Sequence, residues 1–104
     1  MKAFVKIMVG TFESVDAFKA TDLWAIIDEV HGPSALDVEV MQGSSNRIAV
    51  IVSNADSTTA ESANTDCETA IRPKILERIG RSGNVASRLT FNSQAELDAW
   101  KASF

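Results

Sequence analysis

The stretch that decides the fold is HGPSALDVEVMQGSSNRIAVIVSN, residues 31–54. Gly32 and Pro33 stop the helix before it, since glycine suits the position after a helix and proline cannot continue one. The letters LDVEVMQ alternate between apolar and polar side chains, whereas RIAVIVSN is apolar on both faces. The small residues GSSN join the two runs. This pattern predicts an antiparallel β-hairpin of residues 36–42 and 47–53, with the second strand central in the sheet.

The segment before the hairpin predicts a strand and then a helix. Residues 2–9 read KAFVKIMV, which has one wholly apolar face, and Gly10 ends this strand. Thr21 suits the N-cap of the helix, and Ser14 offers an earlier start. The apolar stripe of the helix has the spacing i, i+3, i+4, i+7 and comprises Leu23, Ile26, Ile27 and Val30.

The segment after the hairpin predicts a second helix that begins near Thr58. The letters TTAE fit a capping box of Thr58 and Glu61, and Thr65 with Glu68 offers a later one. Pro73 falls inside the apolar pattern of this helix. It must kink or split the helix, because it removes an amide donor and clashes with the preceding turn.

A strand at 85–91 and a C-terminal helix at about 93–103 complete the chain. The order β-α-β-β-α-β plus one helix predicts an α+β fold, a single ferredoxin-like domain over residues 1–104 with an antiparallel sheet and both main helices on one face. The C-terminal helix is small, so the other face of the sheet needs a further cover. A second copy, packed sheet against sheet, would supply it and predicts a homodimer of the dimeric α/β-barrel type.

Composition narrows the class of protein. The chain is 45% hydrophobic and 23% charged, which is typical of a globular domain. Its one cysteine, Cys67, excludes an internal disulfide and fits a reducing compartment. We expect a cytoplasmic location and no membrane partner, since no apolar stretch approaches 18 residues and no signal-peptide pattern opens the chain.

Charge is uneven along the chain, whose net charge is −4. A local basic patch holds one carboxylate, Glu77, and comprises Arg72, Lys74, Arg78, Arg81 and Arg88. This Arg72–Arg88 patch is typical of the solvated face of a helix, and the alternatives are an anion site or a surface for a protein partner. We expect no nucleic-acid partner, because such proteins are usually basic as a whole and no helix-turn-helix segment is visible.

Three short segments carry a resemblance to known families: GNVASRLTF, NSQAELDAW and VEVMQGSSNRIAVIVSNAD. They resemble the GYD-domain family and the ligand-binding domain of AsnC/Lrp regulators, within the dimeric α/β-barrel superfamily. Gly43 matches the motif glycine of the hairpin, whereas Ser44, Ser45 and Asn46 stand where these families have Tyr-Asp. The resemblance therefore implies the fold and a tendency to dimerise, but no ligand.

A homo-oligomeric module that binds a small molecule, in the sheet cleft or between subunits, is the function that we favour, because it requires no residue that the chain lacks. Asp37 and Glu39 share the polar face of one strand, which would let them act together, although a solvated face is the simpler interpretation. We expect no cofactor. The candidate ligand-binding residues are Phe4, Ile7, Trp24, Met41, Gly43 and Asn46.

His31 is the candidate catalytic residue, because it alone titrates near neutral pH. The simpler interpretation is that it complements the carbonyl end of its helix. The dimeric α/β-barrel superfamily includes cofactor-free monooxygenases, so the resemblance implies an enzymatic alternative with His31 as proton carrier. We favour a binding module over an enzyme. A metal site is not expected, since one histidine and Cys67 have no ligand spacing.

Overall fold

The sheet is the frame on which every candidate residue sits. In a computed structural model, which describes residues 3–79 and 87–104, four strands form one antiparallel sheet in the order β2-β3-β1-β4. The predicted α+β class is therefore confirmed. The strands are β1 (Phe4–Thr11), β2 (Leu36–Gln42), β3 (Arg47–Asn54) and β4 (Ser87–Phe91).

The predicted hairpin is confirmed, with β2 paired to β3 from Leu36 opposite Asn54 to Gln42 opposite Ile48. Strand β3 lies in the interior of the sheet, between β2 and β1. The prediction that Gly10 ends the first strand is wrong. Strand β1 continues to Thr11 across an irregularity in its pairing with β3, and Gly10 permits this with a φ of 117° that few other residues adopt.

Both predicted starts of the first helix are used, so two helices stand where one was expected. Helix α1 (Val15–Lys19) begins after Ser14, whose Oγ accepts a hydrogen bond from the Ala17 amide at 3.0 Å. Helix α2 (Asp22–His31) begins after Thr21, whose side chain accepts a hydrogen bond from the Trp24 amide in the first turn of α2. The predicted stop at Gly32 is confirmed, since α2 ends at His31.

Pro73 splits the second helical segment. Helix α3 (Ala60–Ala70) and helix α4 (Arg72–Ile79) are separated at Ile71, and Pro73 lies in the first turn of α4, where a missing amide costs no helical hydrogen bond. The strand predicted from Val85 is observed from Ser87, and residues 80–86 lie outside the described ranges.

The predicted cap of α3 is wrong by one residue. Thr59, not Thr58, is the N-cap, and its partner in the capping box is Ser62 rather than Glu61. A serine hydroxyl three residues on can accept from the cap amide as a glutamate would, so the pattern TTAES allows two registers. Thr65 lies inside the helix and marks no start.

The two faces of the sheet are covered differently. Helices α1 to α4 pack on one face, and the core between them and the sheet includes Val5, Phe18, Ile26, Val50, Cys67 and Ile75. Helix α5 (Gln94–Ser103) packs on the opposite face, which we call the outer face. There Leu97 is buried against Phe4, Ile51 and Phe91. The chain's own last helix therefore covers part of the face that the sequence assigned to a second copy.

Candidate functional site

Helix α5 is fixed to the outer face by a pair of neighbouring side chains. The Trp100 ring lies over the Lys6 ammonium, with Nζ 5.2 Å from the ring centroid. Lys101 donates to both carboxylate oxygens of Glu39, at 3.1 and 2.9 Å. Lys6 and Glu39 flank Ile51 in the register of the sheet, so the two contacts lie in one row across β1, β3 and β2.

The hairpin turn also holds the C-terminal end of α5. The amide of Ser44 donates to the carbonyl oxygen of Phe104 at 2.7 Å, and the Phe104 ring stacks on Trp100 with centroids 4.6 Å apart. The guanidinium of Arg47 lies 5.0 Å from the centroid of the Phe104 ring. A Cβ atom added to Gly43 would meet the Phe104 ring and carbonyl at 2.6 Å. Phe104 therefore occupies the space that a side chain at position 43 would need.

Lys6 is an unusual residue for a strand interior, since its side chain is on the covered outer face and the residue is only 6% exposed. No ion pair joins it to a described residue, so the Trp100 ring is its electrostatic partner. Burial lowers the pKa of Lys6 from 10.5, and the nearby Arg47 charge adds to this effect. Both causes disfavour the charged ammonium.

A cleft of about 130 Å³ opens on the outer face. Strands β1, β2 and β3 supply its walls, which comprise Phe4, Asp37, Val38, Glu39, Ile51 and Ser53. Asp37 lies directly opposite Ser53 in the register, and Glu39 lies opposite Ile51. The two carboxylates are exposed, whereas Phe4, Ile51 and Ser53 are buried. The cleft thus has an apolar floor with acidic groups on one side.

Ser53 is the polar group inside this cleft. The residue is 4% exposed, and its Oγ forms no hydrogen bond to a described residue. Among the described residues no side-chain polar atom is both fully buried and unpaired, so this hydroxyl is open to the cleft. It is therefore a place where a ligand or a water molecule can form a hydrogen bond.

The predicted ligand residues do not meet around one cavity. Phe4 lines the cleft, and Met41 packs against the same outer-face cluster. Ile7 and Trp24 belong to the opposite, helix-covered side of the sheet, where the ring of Trp24 also receives the Lys19 ammonium. Gly43 and Asn46 lie in the hairpin turn, and Asn46 takes a φ of 59° there.

Ser53 and Lys6 are the residues that sequence analysis missed. Each is a polar residue within a mainly apolar strand, Lys6 on the same side as Phe4 and Ser53 on the same side as Ile51. That signal was visible in the letters KAFVKIMV and RIAVIVSN. It could not reveal that Lys6 would lie under the Trp100 ring or that Ser53 would line a cleft.

His31 ends α2 and is half-buried, with its Nδ1 2.9 Å from the carbonyl oxygen of Leu36. The imidazole thereby links the end of the helix to the first residue of β2. Leu36 also lines a second cleft of about 290 Å³ at this end of the sheet, with Ser34, Asn54, Asp66, Thr69 and Ala70. Between Ser34 and Leu36, Ala35 takes a left-handed φ of 55°, an uncommon conformation outside glycine.

The described part of the Arg72–Arg88 patch consists of cations beside carboxylates. Arg72 lies 3.8 Å from Glu68, and Lys74 lies 3.7 Å from Glu77. Arg81 lies outside the described residues, as do the side chains of Arg78 and Arg88. The two pairs favour the interpretation as a solvated helix face, and a partner at this patch stays a prediction.

Comparison with known proteins identifies no relative: no family model, no curated protein and no solved structure matches this chain. Within residues 3–79 and 87–104, no group of three or more His, Cys, Asp or Glu side chains could hold a metal ion. Over the same ranges, every helix is too short or too polar to cross a membrane.

Proposed function

We propose that this protein is a homo-oligomeric module that binds a small molecule in the outer-face cleft. The observation that carries the proposal is the hydroxyl of Ser53, which opens onto the cleft and has no hydrogen-bond partner among the described residues. A hydrogen bond from a ligand to this Oγ would contribute about 0.5–1.5 kcal/mol.

The volume of the cleft limits the size of the ligand. At about 130 Å³ it has room for roughly four water molecules, since each takes about 30 Å³ in the liquid. Most pockets for drug-sized ligands are larger, from about 300 Å³ upward. The proposed ligand is therefore a compound of a few heavy atoms, or a small group at the end of a larger molecule.

We further propose a ferredoxin-like architecture, related to the GYD-domain and AsnC/Lrp-type domains. The strand order β2-β3-β1-β4, with α1 to α4 on one face, supports the architecture. A homodimer of the barrel type would use the outer face that α5 leaves open. The half-exposed side chains of Met8 and Met41, which both lie opposite Ala49 in the sheet, support that surface. Light scattering at micromolar concentration tests it, and a monomer there contradicts it.

We also propose a cytoplasmic location. Cys67 is buried in the core beneath α3 and is in no disulfide, which fits a reducing compartment.

A thermal-shift screen with amino acids, nucleotides and small aromatic compounds, extended to short amines, acids and alcohols, tests the binding proposal. A compound at a hundred times its Kd should raise the free energy of unfolding by about 2.7 kcal/mol. The rise should disappear in Ser53→Ala and persist in Ser34→Ala, a matched change in the second cleft. Equal rises in both variants would place the ligand elsewhere, and no rise with any compound would refute the proposal.

The second candidate function is a small cofactor-free enzyme with His31 as proton carrier. One observation favours it: the imidazole is held by the carbonyl oxygen of Leu36, a residue that lines the 290 Å³ cleft, and the strained Ala35 lies in the same turn. Once a reaction is known, His31→Gln should abolish it while the fold persists. Full activity in that variant would remove the role.

A further inference from the structure

We infer that the Lys6 amine is a covalent site for carbon dioxide, which it takes up as a carbamate with Arg47 as the counterion. The site is separate from the outer-face cleft, because Lys6 does not line that cleft. Lys6 lies inside the sheet, between Ile51 of β3 and Leu89 of β4 in the register. A lysine so deeply placed is nearly always paired with a carboxylate. Here the residue is 6% exposed, and it forms no ion pair with a described residue.

An aromatic layer covers the amine instead of a carboxylate. The Lys6 Nζ lies 5.2 Å from the centroid of the Trp100 ring, on which Phe104 stacks. Both rings are half-buried and belong to the C-terminal end of α5. Within residues 3–79 and 87–104, no side-chain nitrogen or oxygen is both fully buried and unpaired, so Nζ, which makes no hydrogen bond there, touches solvent. A small uncharged molecule can therefore reach the amine through this contact.

The surroundings of Lys6 favour a neutral amine over an ammonium. Burial lowers the pKa of Lys6, and the Arg47 charge lowers it further. The carboxylate of Glu39, which lies in the same row of the sheet, is held by Lys101 and pairs with neither of these two cations. Only the neutral amine has the lone pair that attacks an electrophile. Desolvation and a neighbouring cation are the two conditions that activate a lysine as a nucleophile.

The reaction with carbon dioxide needs no oxidant or reductant. The Nζ lone pair attacks the carbon atom and forms an N–C bond, while one C=O π bond breaks and its electron pair moves to oxygen. The nitrogen then gives a proton to water or to a buffer base. The neutral amine and CO2 thus become a carbamate anion and a proton. Carbon dioxide is the smallest electrophile of the carbonyl class, which suits an amine beneath the Trp100 ring.

Arg47 has the donors that a carbamate requires. Its Nε and one terminal nitrogen donate to the carbonyl and hydroxyl oxygens of Ser44, at 3.1 Å each. A guanidinium has five N–H donors, and the others have no hydrogen-bond partner among the described residues. The charge of Arg47 already acts on Lys6. The same charge that disfavours an ammonium at this position stabilises an anion there.

Trapping with a trialkyloxonium salt tests the inference, because this reagent converts a carbamate into a stable ester. The protein is incubated with ¹³C-labelled bicarbonate at mildly alkaline pH, trapped, digested and analysed by mass spectrometry. We expect the labelled ester on Lys6 and little or none on Lys19. Lys19 is the matched comparison, since its Nζ also lies 5.2 Å from a tryptophan ring, that of Trp24, but the residue is exposed on α1.

Two variants locate the site without reliance on the trapping step. The carbamate carbon that ¹³C NMR detects in the unchanged protein should be absent in Lys6→Met. Arg47→Met should lower the labelled fraction of Lys6 severalfold, whereas Arg72→Met, an exposed change on α4, should leave it unchanged. No label on Lys6, or as much label on Lys19, would overturn the inference. Equal labelling of Lys6 in Arg47→Met and in the unchanged protein would overturn the role of Arg47 as counterion.

Discussion

Gly43→Ala tests whether the hairpin turn and α5 fit together as described. The added Cβ would lie 2.6 Å from both Cδ2 and the carbonyl oxygen of Phe104. Carbon atoms do not approach so closely, so the end of α5 must move away from the turn. The backbone of Gly43 has a φ of −109°, which alanine adopts freely, so the expected damage comes from the contact alone.

The expected cost follows from the contacts that move. The Ser44–Phe104 hydrogen bond contributes about 1 kcal/mol. The stack of Phe104 on Trp100 contributes about 1 kcal/mol beyond its buried area. The exposed contact with Arg47 adds about 0.5 kcal/mol. Alanine restricts the unfolded chain and returns about 0.5 kcal/mol. The free energy of unfolding should therefore fall by about 2 kcal/mol, or about 10 °C in Tm for a domain of this size.

Urea and thermal unfolding measure this change in stability, and two further variants serve as comparisons. Gly32→Ala is the control, because a Cβ there meets nothing within 4 Å and the φ of −64° is helical. It should leave Tm unchanged or raise it. Phe104→Ala removes the ring, so the double variant should be less destabilised than the sum of the single changes by about 1 kcal/mol. If Gly43→Ala has the same Tm as the Gly32→Ala control, the close contact between the hairpin turn and Phe104 is refuted.

Three further changes test other contacts. Lys6→Met should stabilise the protein by on the order of 1 kcal/mol at pH 7, since it removes a buried charge. Because burial and Arg47 lower the pKa of Lys6, the unfolded chain binds more protons between that lowered pKa and 10.5, so stability should rise with pH there. Urea unfolding between the lowered pKa and pH 10.5 should show that the free energy of unfolding rises with pH in the unchanged protein and rises less in Lys6→Met. Parallel curves for the two proteins would contradict the lowered pKa of Lys6. Thr59→Ala should cost about 1 kcal/mol through loss of the α3 cap, and Thr58→Ala should cost less in the same melting series. His31→Ala should cost about 1 kcal/mol by leaving the Leu36 carbonyl unpaired, and an unchanged Tm would show that the bond contributes nothing.

Local signals in the sequence predicted the elements well. The Gly-Pro stop after His31, the GSSN turn and the alternation in β2 depend on neighbours in the chain, and all three are observed. The cap of α3 was misplaced by one residue because hydroxyls at 58, 59 and 62 offer two registers of similar energy. Whether Pro73 kinks or splits its helix depends on how α4 packs, which the local sequence does not determine.

The candidate site depended on contacts between distant residues, which no local pattern encodes. Lys101 and Glu39 are 62 positions apart, yet they fix α5 to the outer face. The glycine of the turn was interpreted as a ligand residue, whereas its missing side chain makes room for Phe104. Ser53 was overlooked because a serine at the end of an apolar strand is common. Its importance comes from its place in the wall of the cleft, which only the packed structure reveals.

The most direct test of the cleft as a binding site is a crystal structure of the protein soaked with the best compound of the thermal-shift screen. We predict density for a compound within hydrogen-bond distance of Ser53 Oγ, between Phe4 and the carboxylate of Asp37. A bound compound in the 290 Å³ cleft beside Leu36, with the outer-face cleft holding only water, would contradict the assignment.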